Sequence, residues 1–360
     1  MRGRFTDQGG LFSYIAPDKR VPANHPLRKV RELVRDVLSD LNRSLGKLYA
    51  SEGRPSIPPE QLLSALLLQV FYGIRSERQL MEQLNYNLLY RWFVGLSPDD
   101  PVWDPTTFTK NRDRLQNGDV FTKFMTKLLN HPQVKPLLSD EHFSVDGTLI
   151  EAWASQKSFR PKDGSDDGNG ANFHGQKRKN ETHASTTDPD SRLYRKAAGR
   201  EAKLSYMGHV TMENRHGLAV AGMVTQANGT AERRASEIML KAKSKAAGRR
   251  ITAGEDKAYD TADHVANLRA KNVTPHVTQN DSLTKTGQRR KSAIDARTTR
   301  HQGYGMSQTR RAMIECIFGW GKQHRTMRKT KHRGVLRVAA DFMLNLIAYN
   351  LIRIPKLVAA

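Results

Sequence analysis

Near residue 140 the spacing of apolar residues changes period, and that change limits how the chain can fold more than any other feature. Before it, Leu27, Val30, Leu33, Val34, Val37, Leu38 and Leu41 recur at three- and four-residue steps, the stripe of an amphipathic helix. Pro58-Pro59-Glu60 opens a second helix through Leu62, Leu63, Leu66 and Leu67. Ser76-Glu77 opens a third, through Leu80, Met81 and Leu84 towards Trp92. Asp104-Pro105 has the form of an N-cap followed by proline at the first helical position, with Thr107, Phe108, Lys110, Arg112 and Arg114 on the fourth helix. Short helices with basic faces suit a helix-turn-helix-like DNA module and, equally, a packing or dimerisation domain.

After residue 140 strands are expected. His142–Ile150 reads as a strand carrying Asp146. The stretch from Ser155 to Arg200 is polar, Gly-rich and charged, and reads as a loop or disordered segment. Met207–Glu213 and Leu218–Gln226, joined by Asn214-Arg215-His216-Gly217, read as a hairpin. Thr230–Ala246 reads as a helix with Ala231, Ala235, Ile238 and Met239 inward. A short strand Arg250–Gly254 then leads to Asp256, followed by a helix Ala262–Ala270 and a strand Val273–Thr278. A basic linker holds Lys285, Arg289, Arg290, Lys291, Arg297 and Arg300 against Asp295, and helices over Gln308–Arg325 and Val335–Leu351 close the chain. That order describes an α/β layer fold with a mixed sheet.

Composition narrows the partner. Lys and Arg number 59 and Asp and Glu 36, a net charge of +23 over 360 residues. The isoelectric point is near 10.2 and the mean hydropathy −0.65. A field of that sign attracts polyanions such as DNA, although RNA binders share it. Cys316 is the single cysteine, which excludes intramolecular disulfides and a Cys-based zinc site and fits a reducing cytoplasm. The N-terminus lacks the apolar core of a signal peptide. Stretches such as Leu62–Val70 and Phe342–Ile347 fall short of the about 20 residues that cross a bilayer, so no membrane attachment is expected.

In-line cutting and joining of phosphodiesters is served by two metal ions about 3.5–4 Å apart, and Mg²⁺ takes hard carboxylate ligands. Three acids stand where a strand or helix would hold them. Asp146 lies in an apolar strand run, where an acid is expensive unless paired. Asp256 follows a strand in Glu255-Asp256-Lys257-Ala258-Tyr259-Asp260. Glu315 lies on a helix with Arg311 four residues before it and Lys322 seven after, all on one face. Singly, each has a plainer reading: a turn or cap for Asp146, an N-cap for Asp256 (though Asp260 fits that cap better), and a surface salt bridge for Glu315. Cys316 reads as a buried neighbour of Glu315, and Trp153 and Trp320 as core. Lys257 either touches DNA or pairs with Asp260.

Taken together, these segments resemble the DDE transposases of bacterial insertion sequences, of the group typified by insertion sequence five. Asp104-Pro105-Thr106-Thr107-Phe108-Thr109-Lys110-Asn111-Arg112 is similar to that group's Thr-Phe-x-x-x-Arg segment. Val145-Asp146-Gly147-Thr148-Leu149-Ile150 resembles its first catalytic strand, and Asp256-Lys257-Ala258-Tyr259-Asp260 its Asp-Lys-x-Tyr-Asp element. Arg311, Glu315 and Lys322 fit its Tyr-(2)-Arg-(3)-Glu-(6)-Lys signature, with Gln308 in place of the tyrosine. The resemblance implies an RNase H-like mixed sheet flanked by helices and preceded by an all-α N-terminal domain. It implies Asp146, Asp256 and Glu315 as catalytic acids and ligands of two Mg²⁺ ions, with Mn²⁺ a substitute. It also implies cleavage at element ends and strand transfer without a covalent enzyme intermediate.

The expected division is a helical, DNA-binding part over 1–135 and a catalytic part over 136–355. Arg311, Lys322, Arg325, Arg328, Lys329 and Lys331 are expected to hold DNA, since the run from Lys322 to Arg333 contains no acid. Partners would be duplex element ends and target DNA, bound by a homodimer or larger assembly at the nucleoid in the cytoplasm. The alternatives are a transposase-derived DNA-binding protein that no longer cuts, and a nuclease that does not join. A basic RNA-binding protein is a weaker one, as no RNP-type or KH-type motif is present.

Overall fold

A computed structural model describes residues 16–359 except 51, 54, 118, 165–177, 197–198 and 284–286. Among the described residues, helices come first: α1 (Pro17–Arg20), α2 (Leu27–Gly46), α3 (Pro59–Phe71), α4 (Glu77–Tyr86), α5 (Leu88–Val94), α6 (Pro105–Asn117) and α7 (Val120–Asn130). Their ends follow local chemistry. Ser76 caps α4 by accepting from the Gln79 N–H at 3.3 Å, and Asp104 Oδ1 accepts from the N–H groups of Thr106 and Thr107 at the start of α6. The helix expected to run on to Trp92 stops at Tyr86, because Asn87 turns its side chain onto the Leu89 and Tyr90 N–H groups and starts α5.

The strands that follow are β1 (His142–Glu151), β2 (Phe159–Pro161), β3 (His183–Ser185), β4 (Arg192–Tyr194), β5 (Lys203–Glu213) and β6 (Ala219–Gln226), of which β2 and β3 form a small sheet of their own. Helix α8 (Ala231–Ala247) leads to β7 (Ile251–Glu255), and α9 (Ala262–Ala270) to β8 (Val273–Val277). Strands β1, β5 and β6 are antiparallel neighbours; β7 and β8 add in parallel beyond β1, and β4 continues the β6 edge of β5. This is the RNase H-like mixed sheet. Glu213 stabilises the hairpin turn: fully buried, its carboxylate accepts from the N–H groups of Ser139, Arg215, His216 and Leu218.

The segment 155–200 departs from expectation. Strands β2 and β3 pair within it. Asp188 is buried, accepting from the Tyr206 hydroxyl at 2.6 Å and the Gly334 N–H at 3.1 Å. A few polar side chains in good hydrogen bonds replace the missing apolar spacing. The Gly-rich part of that stretch, 165–177, lies outside the described residues. On α8 the inward set is Ala231, Ala235 and Met239, whereas Ile238 is exposed.

The chain continues through α10 (Ala296–Thr299), α11 (Gln302–Arg311), α12 (Ile314–Gln323) and α13 (Val335–Val358). Helix α13 is long and apolar enough by length and composition to cross a membrane. Here it is a core helix between the sheet and the N-terminal helices. It packs on β5 and β6 and on α2, α3, α6 and α7. Its buried Asn350 exchanges hydrogen bonds with the Ala219 backbone at 2.8 and 3.0 Å. One apolar core therefore runs from Val34 through Phe108 to Val145.

His209, paired with Gly147 across β5 and β1, is fully buried. Burial pushes its pKa down to about 4 from 6.5. Its contribution to stability is thus complete above pH 6.5 and is lost as pH falls towards 4, by about 3 kcal/mol. His209→Gln should flatten that part of the pH–stability curve in urea titrations; an unchanged slope would place the loss elsewhere.

Candidate active site

Strands β1 and β7 are parallel, and their registered pairing ends at Ser144↔Gly254. Asp146 and Asp256 each stand two residues further on, so both acids leave the same end of neighbouring strands. Asp146 stays within β1 and turns Oδ1 back onto the Gly147 N–H at 2.7 Å. Asp256 follows β7 and caps the turn Lys257–Tyr259, accepting from the Ala258 N–H at 2.8 Å. The turn role weighed from sequence is therefore present. Asp260 does not cap α9; Thr261 does. The Asp260 carboxylate instead accepts from the Asn280 and Ala293 N–H groups at 2.7 and 2.9 Å, tying down the basic stretch after β8. Lys257 is exposed.

Glu315 arrives on the last part of the chain. Helix α11 crosses β7 at Gly254, where a Cβ would press on Ser144 Oγ at 3.1 Å and the Ser307 carbonyl at 3.2 Å. Gln308, in the tyrosine's place, accepts from the Thr278 hydroxyl at 2.6 Å and donates to the His276 carbonyl, so its amide ties α11 to β8. The single helix expected over Gln308–Arg325 is broken at Ala312–Met313. Bonds three residues apart, Met313 N–H to Arg310 O (3.0 Å) and Cys316 N–H to Met313 O (3.1 Å), tighten the chain there. Arg311 thus ends α11, Glu315 sits in the first turn of α12, and the two do not share a face of one straight helix. Cys316 is exposed rather than buried.

These acids act on one another. Burial, with the charges of Asp256, Glu315 and Glu232, pushes the Asp146 carboxyl up to about 7 against the pull of the Gly147 N–H. Among the described residues no three His, Cys, Asp or Glu side chains close round one point. Glu232 does not stand out in the sequence, where it is an ordinary acid in a helix's first turn. The hint the sequence carries is the glycine after Asp146, which permits a close approach.

The basic residues divide. Lys322 is half-buried on α12, where burial lowers its pKa and the Glu315 charge raises it. Arg325 lies over Trp320, its Cζ 4.9 Å from the ring centroid, and Arg328 is exposed. Lys329 pairs with Glu151 at 3.2 Å and covers Trp153, which is half exposed rather than core. Trp320 packs edge-on against Tyr349. Lys331 leaves the expected DNA track: its ammonium turns inward, 3.3 Å from Glu77 Oε1, and burial pushes its pKa down to about 8. The run had no acid of its own, and acids from β1 and α4 supply the partners.

Residues 138–351, more than half of the chain, match the family described as Transposase DDE domain, and residues 16–114 match one described as Transposase domain (DUF772). The chain belongs to the DDE transposases, of insertion-sequence type, and its function is DNA transposition. Among solved structures it is similar to the cryo-EM structure of the piggyBac transposase synaptic complex with hairpin DNA. That match has 13% identity and a TM-score of 0.39, over 91% of this chain and 74% of that one. It is also similar to the Mos1 transposase paired-end complex with left transposon end (11% identity, TM-score 0.21, 79% and 84% covered). A third is the Mos1 mariner paired end complex with Mn (13%, 0.20, 93% and 92%). A comparison with proteins of curated function finds no match.

Proposed function

We propose that this transposase cuts DNA at the ends of an element of the insertion-sequence-five-like group and joins them to target DNA, with Asp146, Asp256 and Glu315 holding two Mg²⁺ ions. The observation that carries the reading is the placement of Asp146 and Asp256 at one end of the neighbouring strands β1 and β7. The donor set is carboxylate oxygen throughout, which suits Mg²⁺ or Mn²⁺ and not a softer metal. When bound, the pair of ions would activate a water or a 3′-hydroxyl and stabilise the leaving oxygen.

The chain's own residues do the positioning. Asp146 is fixed by the strand pairing of β1, and Asp256 by its cap on the Lys257–Tyr259 turn. Glu315 stands on a helix end whose orientation is set by Ile314 and Ile317 in the core. Arg311, Lys322 and Arg328 would hold phosphates beside the scissile bond. Arg325 and Lys329, already engaged with Trp320 and Glu151, would join them at the edge of the track. The helical part, 1–135, would grip the element end and 136–355 would cut it, in the cytoplasm at the nucleoid. Joining requires two ends at once, which a homodimer or larger assembly on DNA provides.

The test is incubation of the purified protein with the DNA flanking its gene, with Mg²⁺ or EDTA. Mg²⁺-dependent cleavage and joined products are expected. Cleavage without joining would favour the nuclease, and binding without cleavage the inactive derivative. Affinity for that DNA should fall steeply with salt, with a log–log slope of about −0.9 per phosphate contact. Lys322→Ala and Arg328→Ala should each flatten the slope by about one contact. Slopes equal to that of the unaltered protein would remove those residues from the interface.

A further inference from the structure

We propose that Glu232 is a fourth carboxylate of the metal site, facing Asp146 across Gly147. This rests on the assignment of Asp146, Asp256 and Glu315 as ligands and adds a residue to it. Glu232 stands in the first turn of α8, the helix that connects β6 to β7. Because β7 pairs with β1 and β6 with β5, that helix must pass back over β1, and its first turn comes down beside Gly147. The approach is close. A Cβ on Gly147 would lie 2.6 Å from Glu232 Oε1 and 2.9 Å from its Cγ, so any other residue after Asp146 would push the glutamate away.

The Glu232 carboxylate is half-buried and makes no hydrogen bond or ion pair among the described residues. Burial, and after it the charge of Asp256, disfavour its ionised form against the smaller pull of Lys196 and Arg233. A carboxylate in that position is costly unless a cation neutralises it. An independent feature points the same way. Tyr259, 1% exposed, has a hydroxyl with no hydrogen-bond partner among the described residues. Burial raises its pKa well above the ordinary value, and the charges of Glu232 and Asp146, then Glu255 and Asp256, push the same way. The Tyr259 ring packs in a small core with Val265, Val277 and Ile294, which leaves its buried O–H as a donor able to orient a ligating carboxylate, the role that outer-shell hydrogen bonds play in metal sites.

Mn²⁺ titrated into the full-length protein without DNA, with free Mn²⁺ read by electron paramagnetic resonance, tests this. Glu232→Gln keeps shape and removes charge. It should weaken Mn²⁺ binding about tenfold or more. Thermal unfolding in EDTA should show its Tm unchanged or raised, since a like charge beside Asp146 is gone. Affinity equal to that of the unaltered protein, while Asp146→Asn binds more weakly, would overturn the place of Glu232 alone. Affinity untouched by Asp146→Asn would overturn the metal assignment and this proposal with it. A Tm in EDTA lowered by Glu232→Gln would make the glutamate a structural residue and also overturn it.

Discussion

Asp146→Asn is expected to abolish Mg²⁺-dependent cleavage, by more than about a thousandfold in rate, while leaving DNA affinity within about twofold. The substitution removes a charge from the ligand set and keeps the side chain's size, and metal-borne stabilisation of the transition state is worth several kcal/mol. The strand should survive it: Asp146 is held by backbone pairing of β1 with β5, and the hydrogen bond its side chain accepts from the Gly147 N–H can be accepted by the amide oxygen. Cleavage at an unaltered rate, measured on the DNA flanking the gene, would take Asp146 out of the reaction. Lost DNA binding would mean that the acid orders the surface and not the chemistry.

Glu77→Gln is expected to cost about 3 kcal/mol of stability although it lies in a helix of the N-terminal part. Glu77, in the first turn of α4, pairs with Arg112 of α6 and with Lys331 beyond α12, and accepts from the Thr109 hydroxyl. Its side chain is 11% exposed and that of Arg112 10%. Neutralising the shared acid leaves two cations facing each other with little water. Arg112 keeps Asp113 at 2.8 Å, which limits the loss. The same pairing fixes the stretch after α12 to the helical part, so urea unfolding should shift as one transition for probes in α4 and in β1. A shift smaller than about 0.5 kcal/mol would show the cluster to be solvated.

Most of the fold is visible in the sequence, because strand and helix periods are set by which face is buried. The hairpin turn at Asn214–Gly217 and the caps at Ser76 and Asp104 are local and follow from residue chemistry. What depends on distant partners is not visible. Asn87 and Ala312–Met313 each divide a pattern that runs on in apolar spacing, the first through a side-chain cap and the second through tightened backbone bonds. The placement of the described residues around Asp188 rests on its bonds with Tyr206 and Gly334, which no spacing links. In the site, the three acids carry recognisable neighbours, whereas Glu232 becomes notable only once the β6–α8–β7 connection sets it against Gly147. Lys331 shows the converse: a basic run suggests a solvated or DNA-facing edge until Glu77 arrives from 254 residues away.

The most direct measurement is an anomalous difference map from crystals of the protein soaked in Mn²⁺. Two peaks about 3.5–4 Å apart, bounded by the carboxylates of Asp146, Asp256 and Glu315, are the expected result. Mn²⁺ bound elsewhere on the protein, with those three carboxylates free of density, would contradict it.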